Sequence, residues 1–253
     1  MAIAKDSFMA QDVELTIFEH LAELRSRLFK AALALLIGTL ISIIFTTQVL
    51  ELLIKPLAHP PQVISPTEHF FVYFQVALIC GVTLAMPVIV YQIVRFMLPG
   101  LLPQERKYLY FLLPGVAFCF TAGVAFAALI MLPAAINFMQ GFLSTVVEAN
   151  WTLGNYVSFV TRILFWMGMV FQTPLLMFFL TKLGLISPKK LSAFRKYAIV
   201  LVAVIAALVT PTPDPVNMAI VMVPLYLLYE VGIILSRLAY LGHKEPDAET
   251  TAS

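Results

Sequence analysis

Long apolar runs separated by short polar, proline-bearing connections set the pattern of this chain. The first run, 28–47, holds Lys30 as its single charge, close enough to the end for the side chain to snorkel. Twenty residues at ~1.5 Å each cover the ~30 Å hydrocarbon core of a bilayer. Further runs at 70–97, 108–132 and 155–183 are long enough to span; Pro87 gives the first of them a place to kink, Pro114 stands near the start of the second and Pro174 just beyond the centre of the third. The run 197–209 is only thirteen residues, ~20 Å as a helix. The last, 216–235, is long enough only if it accepts Glu230. The corner TPTPDP at 210–215 separates these two, which predicts a short helical hairpin across a thinned bilayer.

The connections carry the remaining pattern. Segment 48–69, with Lys55-Pro56, Pro60-Pro61 and Ser65-Pro66, reads as a broken polar loop. Segment 134–154 is moderately apolar and reads as a partly ordered loop with helical pieces, its Trp151 suited to an interface. The polar tail 238–253 is expected to be disordered. Before the first span, 16–28 (TIFEHLAELRSRL) has amphipathic periodicity, with Ile17, Leu21, Leu24 and Leu28 on one face and Glu19, Glu23, Arg25, Ser26 and Arg27 elsewhere. Thr16 and Glu19 fit a capping box, and Glu23 precedes Arg27 by four residues in the favourable order.

Composition agrees: 61% of residues are hydrophobic and 12% charged, half the charge of a soluble domain. The reading is one all-α integral membrane domain over 1–253 with six spans, the last two short. Basic residues choose the orientation. Fourteen of the sixteen lie on the side of the N-terminus, leaving Lys55 and Arg162 opposite, so both termini are expected in the cytoplasm. Five acidic groups in the first 27 residues argue against a cleavable signal. Cys80 and Cys119 sit in apolar runs and read as small core residues, and the four histidines lie outside those runs. No metal, cofactor or nucleic-acid partner is expected. Neither HExxH, GxSxG nor a P-loop occurs, so no enzyme is expected.

Two carboxylates in rigid local frames then fall on one side: Glu23 on its helix, and Glu105 after the proline-braced turn in RFMLPGLLPQERK, 95–107. Such a pair suits cations, and a guanidinium gains most, through two parallel charge-assisted bonds. Local pairing with neighbouring arginines is the plainer alternative. Gln172 and Glu230 are the polar groups at membrane depth, where such groups pair or serve a function.

Five motifs in series then become recognisable: HLAELRSRL at 20–28, YQIVRFMLPGLLPQERK at 91–107, FQTP at 171–174, LVTPTPDP at 208–215 and LYEVGIILSR at 228–237. Together they resemble the TatC family, the six-span core of the twin-arginine protein translocase. The resemblance implies a concave, glove-like bundle in a prokaryotic cytoplasmic membrane. It implies a receptor for paired-arginine signal peptides of folded proteins, working in an oligomeric complex with TatA- and TatB-type single-span subunits and driven by the proton gradient. It places signal-peptide contacts on Glu23 and Glu105, with Arg25 and Phe96 beside them, and functional loop positions on Pro56 and Asp214. The family often carries a glutamate where Gln172 stands, so proton chemistry there is not expected. From the residues alone, Asp214 also reads as a cap of the last helix, Pro56 as a helix breaker, and Arg25 as orienting Glu23. The rival function is a small-solute transporter or channel, which needs a polar path that the second to fourth spans hardly supply. An intramembrane enzyme lacks a paired nucleophile and base.

Overall fold

The structure, a computed structural model, describes residues 17–57, 59–97, 106–141, 150–209 and 215–241. Apart from a single bridge between two loops, the regular structure of these residues is helical. In chain order the α-helices are α1 Ile17–Ser42, α2 Thr46–Ile54, α3 Glu68–Met97, α4 Arg106–Phe126 and α5 Leu132–Gly141. They continue with α6 Leu153–Val170, α7 Thr173–Lys182, α8 Pro188–Ala193, α9 Arg195–Val209 and α10 Pro215–Leu241. Several of these are pieces of one rod. A 3-10 turn at Ile43–Phe45 joins α1 to α2, and a π-helical turn at Ala127–Met131 joins α4 to α5 just before Pro133. Proline lacks the N–H that an α-turn needs, which accounts for the altered winding ahead of it.

Five helical stretches among the described residues are long and apolar enough to cross a membrane: His20–Ile54, Glu68–Phe96, Leu113–Gly141, Leu153–Lys182 and Met218–Tyr240. Large apolar side chains such as Ile44, Phe71 and Phe118 are left exposed on them. In water that would be a sticky surface; in lipid it is the surface a spanning helix needs. The chain is a multi-pass membrane protein.

Helix boundaries depart from the sequence pattern in instructive ways. The amphipathic stretch 16–28 and the first apolar run are one element, because α1 runs unbroken from Ile17 to Ser42. Helix also continues through Thr46–Ile54, expected as loop from 48 on, while Leu132–Gly141 is one of the helical pieces expected in 134–154. The polar residues there, Gln48 and Glu51 in one and Asn137 and Gln140 in the other, sit on helices whose apolar faces still pack. The fourth span is broken at Phe171–Gln172, ahead of Pro174, into α6 and α7. The final helix is not short: α10 has 27 residues, whereas α9 has 15 and is the one short member of the pair.

Packing places α6 at the centre. Tyr156, Val157, Val160, Ile163, Leu164 and Met167 are all buried, and the Tyr156 hydroxyl donates to the Leu53 carbonyl at 2.5 Å. Helices α1 and α3 cross at glycines, because a Cβ on Gly38 would lie 2.6 Å from the Gly81 carbonyl oxygen. Lipid supplies little drive for helix association, so close backbone approach and interhelical hydrogen bonds must hold the crossing. Ser42 Oγ donates to the Ala77 carbonyl at 2.5 Å, and Tyr73 Oη to that of Ile43 at 2.7 Å. Helices α7 and α10 are joined likewise through Thr181 Oγ1 and Ser236 Oγ, 2.5 Å apart. Cys80 and Cys119 are half-buried free thiols.

At the end of the bundle away from α1's start, two loops are knitted together. Gln62 N–H donates to the Trp151 carbonyl and Leu153 N–H donates to the Gln62 carbonyl, both at 2.8 Å. The Glu68 carboxylate accepts from the backbone N–H groups of Gly154, Ile64 (2.9 Å) and Ser65 (3.3 Å). One side chain thus ties the approach to α3 to the start of α6.

Candidate functional site

The first turns of α1 meet the last turns of α3 at the other end. Along α1, His20, Glu23 and Arg27 recur at spacings of three and four, which puts them on one face; Gln92 and Phe96 are four apart on α3. The two faces meet. Arg27 Nη2 and Nε both donate to Glu23 Oε1, at 2.7 and 3.1 Å, and Arg27 Nη1 reaches Gln92 Oε1 at 3.4 Å. One helix turn away, the His20 ring stacks on Phe96 with centroids 4.4 Å apart and planes 22° from parallel. Arg95 curls back on its own helix to donate to the Tyr91 hydroxyl at 2.6 Å.

This arrangement fixes a carboxylate without using it up. Both bonds from Arg27 go to Oε1, and among the described residues Glu23 Oε2 accepts no hydrogen bond. The Glu23 side chain keeps 25% of its surface exposed, against 17% for Arg27. A carboxylate has lone pairs enough for a second guanidinium, and a charged acceptor bonds about twice as strongly as a neutral one. The existing pair is a local one between neighbours on a single helix, where i,i+4 partners contribute about 0.2–0.5 kcal/mol, so it competes weakly. An incoming cation therefore meets an acceptor that is already oriented.

The other predicted positions separate into those the structure brings here and those it does not. Phe96 is half-buried at the site, held by His20. Arg25 is exposed, and it is Arg27 that orients Glu23, because four residues along a helix share a face and two do not. Leu21, Leu24 and Leu28 are 54%, 41% and 67% exposed. The apolar stripe thus faces outward and does not dock α1 on the protein. Glu105 and Asp214 lie outside the described residues, as does the capping role expected for Asp214; the side chains of Thr16 and Glu19 do also. Pro56 follows α2 at the opposite end, half-buried. Gln172 Nε2 donates to the Val116 carbonyl of α4 at 3.0 Å, where the chain bends between α6 and α7. Glu230 pairs with Arg195 of α9 at 2.7 Å and accepts from Tyr226 at 2.9 Å. Glu230 is thus paired with a basic group on a neighbouring helix, as an acid at such depth commonly is.

His20 and Gln92 are the site members that a search for charge pairs passes over. Their signal was periodicity: His20 and Arg27 share the Glu23 face, and Gln92 stands four before Phe96.

Comparison with known proteins gives the arrangement a family. The profile described as "Sec-independent protein translocase protein (TatC)" matches residues 19–224. The "Sec-independent protein translocase protein TatC" of Deinococcus radiodurans is 37% identical over 230 residues, covering 87% of this chain and 85% of the relative. The Aquifex aeolicus protein of the same description is 38% identical, covering 90% of this chain and 97% of its own. A crystal structure titled "Twin Arginine Translocase Receptor- TatC" superposes with a TM-score of 0.72 at 37% identity, covering 88% of this chain and 100% of the other.

Proposed function

Since the chain belongs to the TatC family of Sec-independent protein translocase proteins, we propose that the face built by α1 and α3 is where it receives signal peptides carrying paired arginines. The observation that carries this reading is Glu23, whose Oε1 is steadied by Arg27 while Oε2 accepts no hydrogen bond among the described residues, one helix turn from the stacked His20 and Phe96. A planar guanidinium matches that acceptor in charge and shape. Glu105, one residue before α4, is proposed as the second carboxylate, since the first residue of α4 follows the chain segment that leaves α3. Arg25, exposed on the adjoining face, bears on the residues flanking the pair.

The rest of the reading follows from that role. The end holding α1's start, the end of α3 and α8 faces the cytoplasm, so the two termini lie there, and the membrane is the cytoplasmic membrane of a prokaryote. The short α9 is the fifth of six crossings. Gln172 and Glu230 lie at membrane depth and are available, beyond their internal bonds, to single-span subunits of the TatA and TatB kind in an oligomeric complex. Pro56 and Asp214 shape the loops at the far end. The transmembrane proton gradient supplies the energy. A solute channel is disfavoured, since membership of a translocase family leaves it without support, and Gln75 and Gln172, polar groups on the second and fourth spans, are bonded within the protein to Thr161 and the Val116 carbonyl.

The test is site-specific photocrosslinking of a paired-arginine precursor to membranes containing the wild type or the Glu23→Ala/Glu105→Ala double variant. Loss of the crosslink at unchanged membrane levels is expected. Normal crosslinking in the double variant contradicts the proposal.

A further inference from the structure

A cavity of about 610 Å³ lies between α8 and the end of α10, lined by Ser187, Pro188, Lys189, Ser192, Arg237 and Tyr240, whose apolar stems and rings make most of its surface. That volume is within the ~300–1,000 Å³ of small-molecule sites. Two of its six lining residues are cations and none is an acid. The acid nearest along α10, Glu230, is seven residues and about 10 Å from Arg237, and it is engaged by Arg195. Arg237 is committed only lightly, through one 3.4 Å bond from Nη2 to Ser192 Oγ. Ser187 Oγ accepts from the Lys190 N–H at 3.3 Å, which leaves its hydroxyl hydrogen to donate.

The walls are fixed. Tyr229 Oη donates to the Leu191 carbonyl at 2.8 Å, and buried Lys182 donates to the Ala239 carbonyl at 3.4 Å, so α8 and the last turn of α10 are each anchored. Exposed apolar residues adjoin the lining along the chain: Leu185 precedes Ser187 by two, Phe194 follows Ser192 by two, and Leu238 follows Arg237, while Tyr240 of the lining is exposed. Lys190 and Lys196 are exposed as well but do not line the cavity. Exposed cations and hydroxyls lining a largely apolar cavity, with apolar neighbours and a tyrosine, fit a site at the boundary of hydrocarbon and water.

We propose that this cavity binds the phosphate-bearing headgroup of an anionic membrane lipid, with Lys189 and Arg237 on the phosphate, Ser187 and Ser192 donating to it, and the acyl chains over Leu185 and Leu238. The apolar neighbours select a lipid over free phosphate, which has no apolar part to place there.

The experiment uses the full chain in a neutral detergent, with native mass spectrometry reading retention of phosphatidylglycerol against phosphatidylcholine. The wild type retains phosphatidylglycerol preferentially. Lys189→Gln/Arg237→Gln lowers that preference about tenfold or more, since each cation near an anionic headgroup contributes a severalfold factor. Lys190→Gln/Lys196→Gln, which removes two exposed cations outside the cavity, leaves it nearly intact. Equal losses in the two double variants, or an undiminished preference in the first, overturn the proposal. Inorganic phosphate displacing the lipid at equal concentration overturns the choice of a lipid. A photoreactive phosphatidylglycerol on the unaltered protein gives a readout free of folding defects: adducts at 187–192 and 237–240 are expected, and adducts scattered over other basic turns contradict the site.

Discussion

The two ends of this bundle solve opposite problems with the same residue type. At the far end Glu68 accepts from three backbone N–H groups, two in the loop before α3 and one in the first turn of α6, and the backbone of Gln62 is paired on both sides with 151–153. At the near end Glu23 accepts from one side chain of its own helix, through one oxygen. The first carboxylate is consumed by structure. The second is held in place and left with capacity, which is what a receptor surface needs. The difference lies in who supplies the donors: irregular backbone must find partners, so the acid among loops is drawn into them, while helical backbone already has its own.

If this contrast is real, substitutions at the two ends should separate cleanly. The largest effect is expected from Glu23→Ala/Glu105→Ala. It should weaken binding of a paired-arginine peptide by about a hundredfold, as for truncation of charged partners at an interface, with thermal stability nearly unchanged. A pull-down titration on purified protein checks both halves of that statement. Next comes Gly81→Val, which places a side chain against the α1 backbone and should cost ~1–3 kcal/mol by overpacking. Thermal unfolding in detergent reads it, and binding should follow only as far as folded protein is lost. Glu68→Ala should speed protease cleavage in the 55–67 loop and lower the unfolding temperature, leaving peptide affinity as in the wild type. A fall in affinity there equal to that of Glu23→Ala would erase the contrast. The smallest effect is expected from Arg27→Ala, a change in stability within ~0.5 kcal/mol, as for an i,i+4 pair on one helix.

Much of this was readable before the fold. Alternation of apolar runs and proline-bearing turns located the membrane helices, and the spacing of Glu23 and Arg27 foretold their ion pair. What periodicity could not read was continuity. A helix in lipid keeps its backbone bonds whatever its side chains, so Gln48, Glu51 and Asn137 did not end the helices they stand on. The same blindness made α10 seem short, because Glu230 broke the apolar run. Its charge is met by Arg195 from another helix, a contact that no local pattern contains. Stripes mislead in the other direction: Leu21 and Leu24 have the spacing of a docking face, yet in a membrane protein an apolar face need not find protein. Gln172 is the subtler case. Its partner, the Val116 carbonyl, is a backbone group 56 residues away, so its depth was legible along the chain and its bond was not.

The receptor reading rests on the geometry of one acid, and its most direct test compares arginine with lysine. A guanidinium can use Glu23 Oε2 through a planar fork, whereas an ammonium offers a point charge on a flexible stem. The measurement is the affinity of the purified protein for a paired-arginine signal peptide and for the same peptide with paired lysines, with and without Glu23→Gln. The account predicts that the wild type prefers arginine by roughly tenfold or more, in line with the stronger charge-assisted bidentate bond, and that Glu23→Gln removes most of that preference. An arginine preference that survives the substitution unchanged would contradict it.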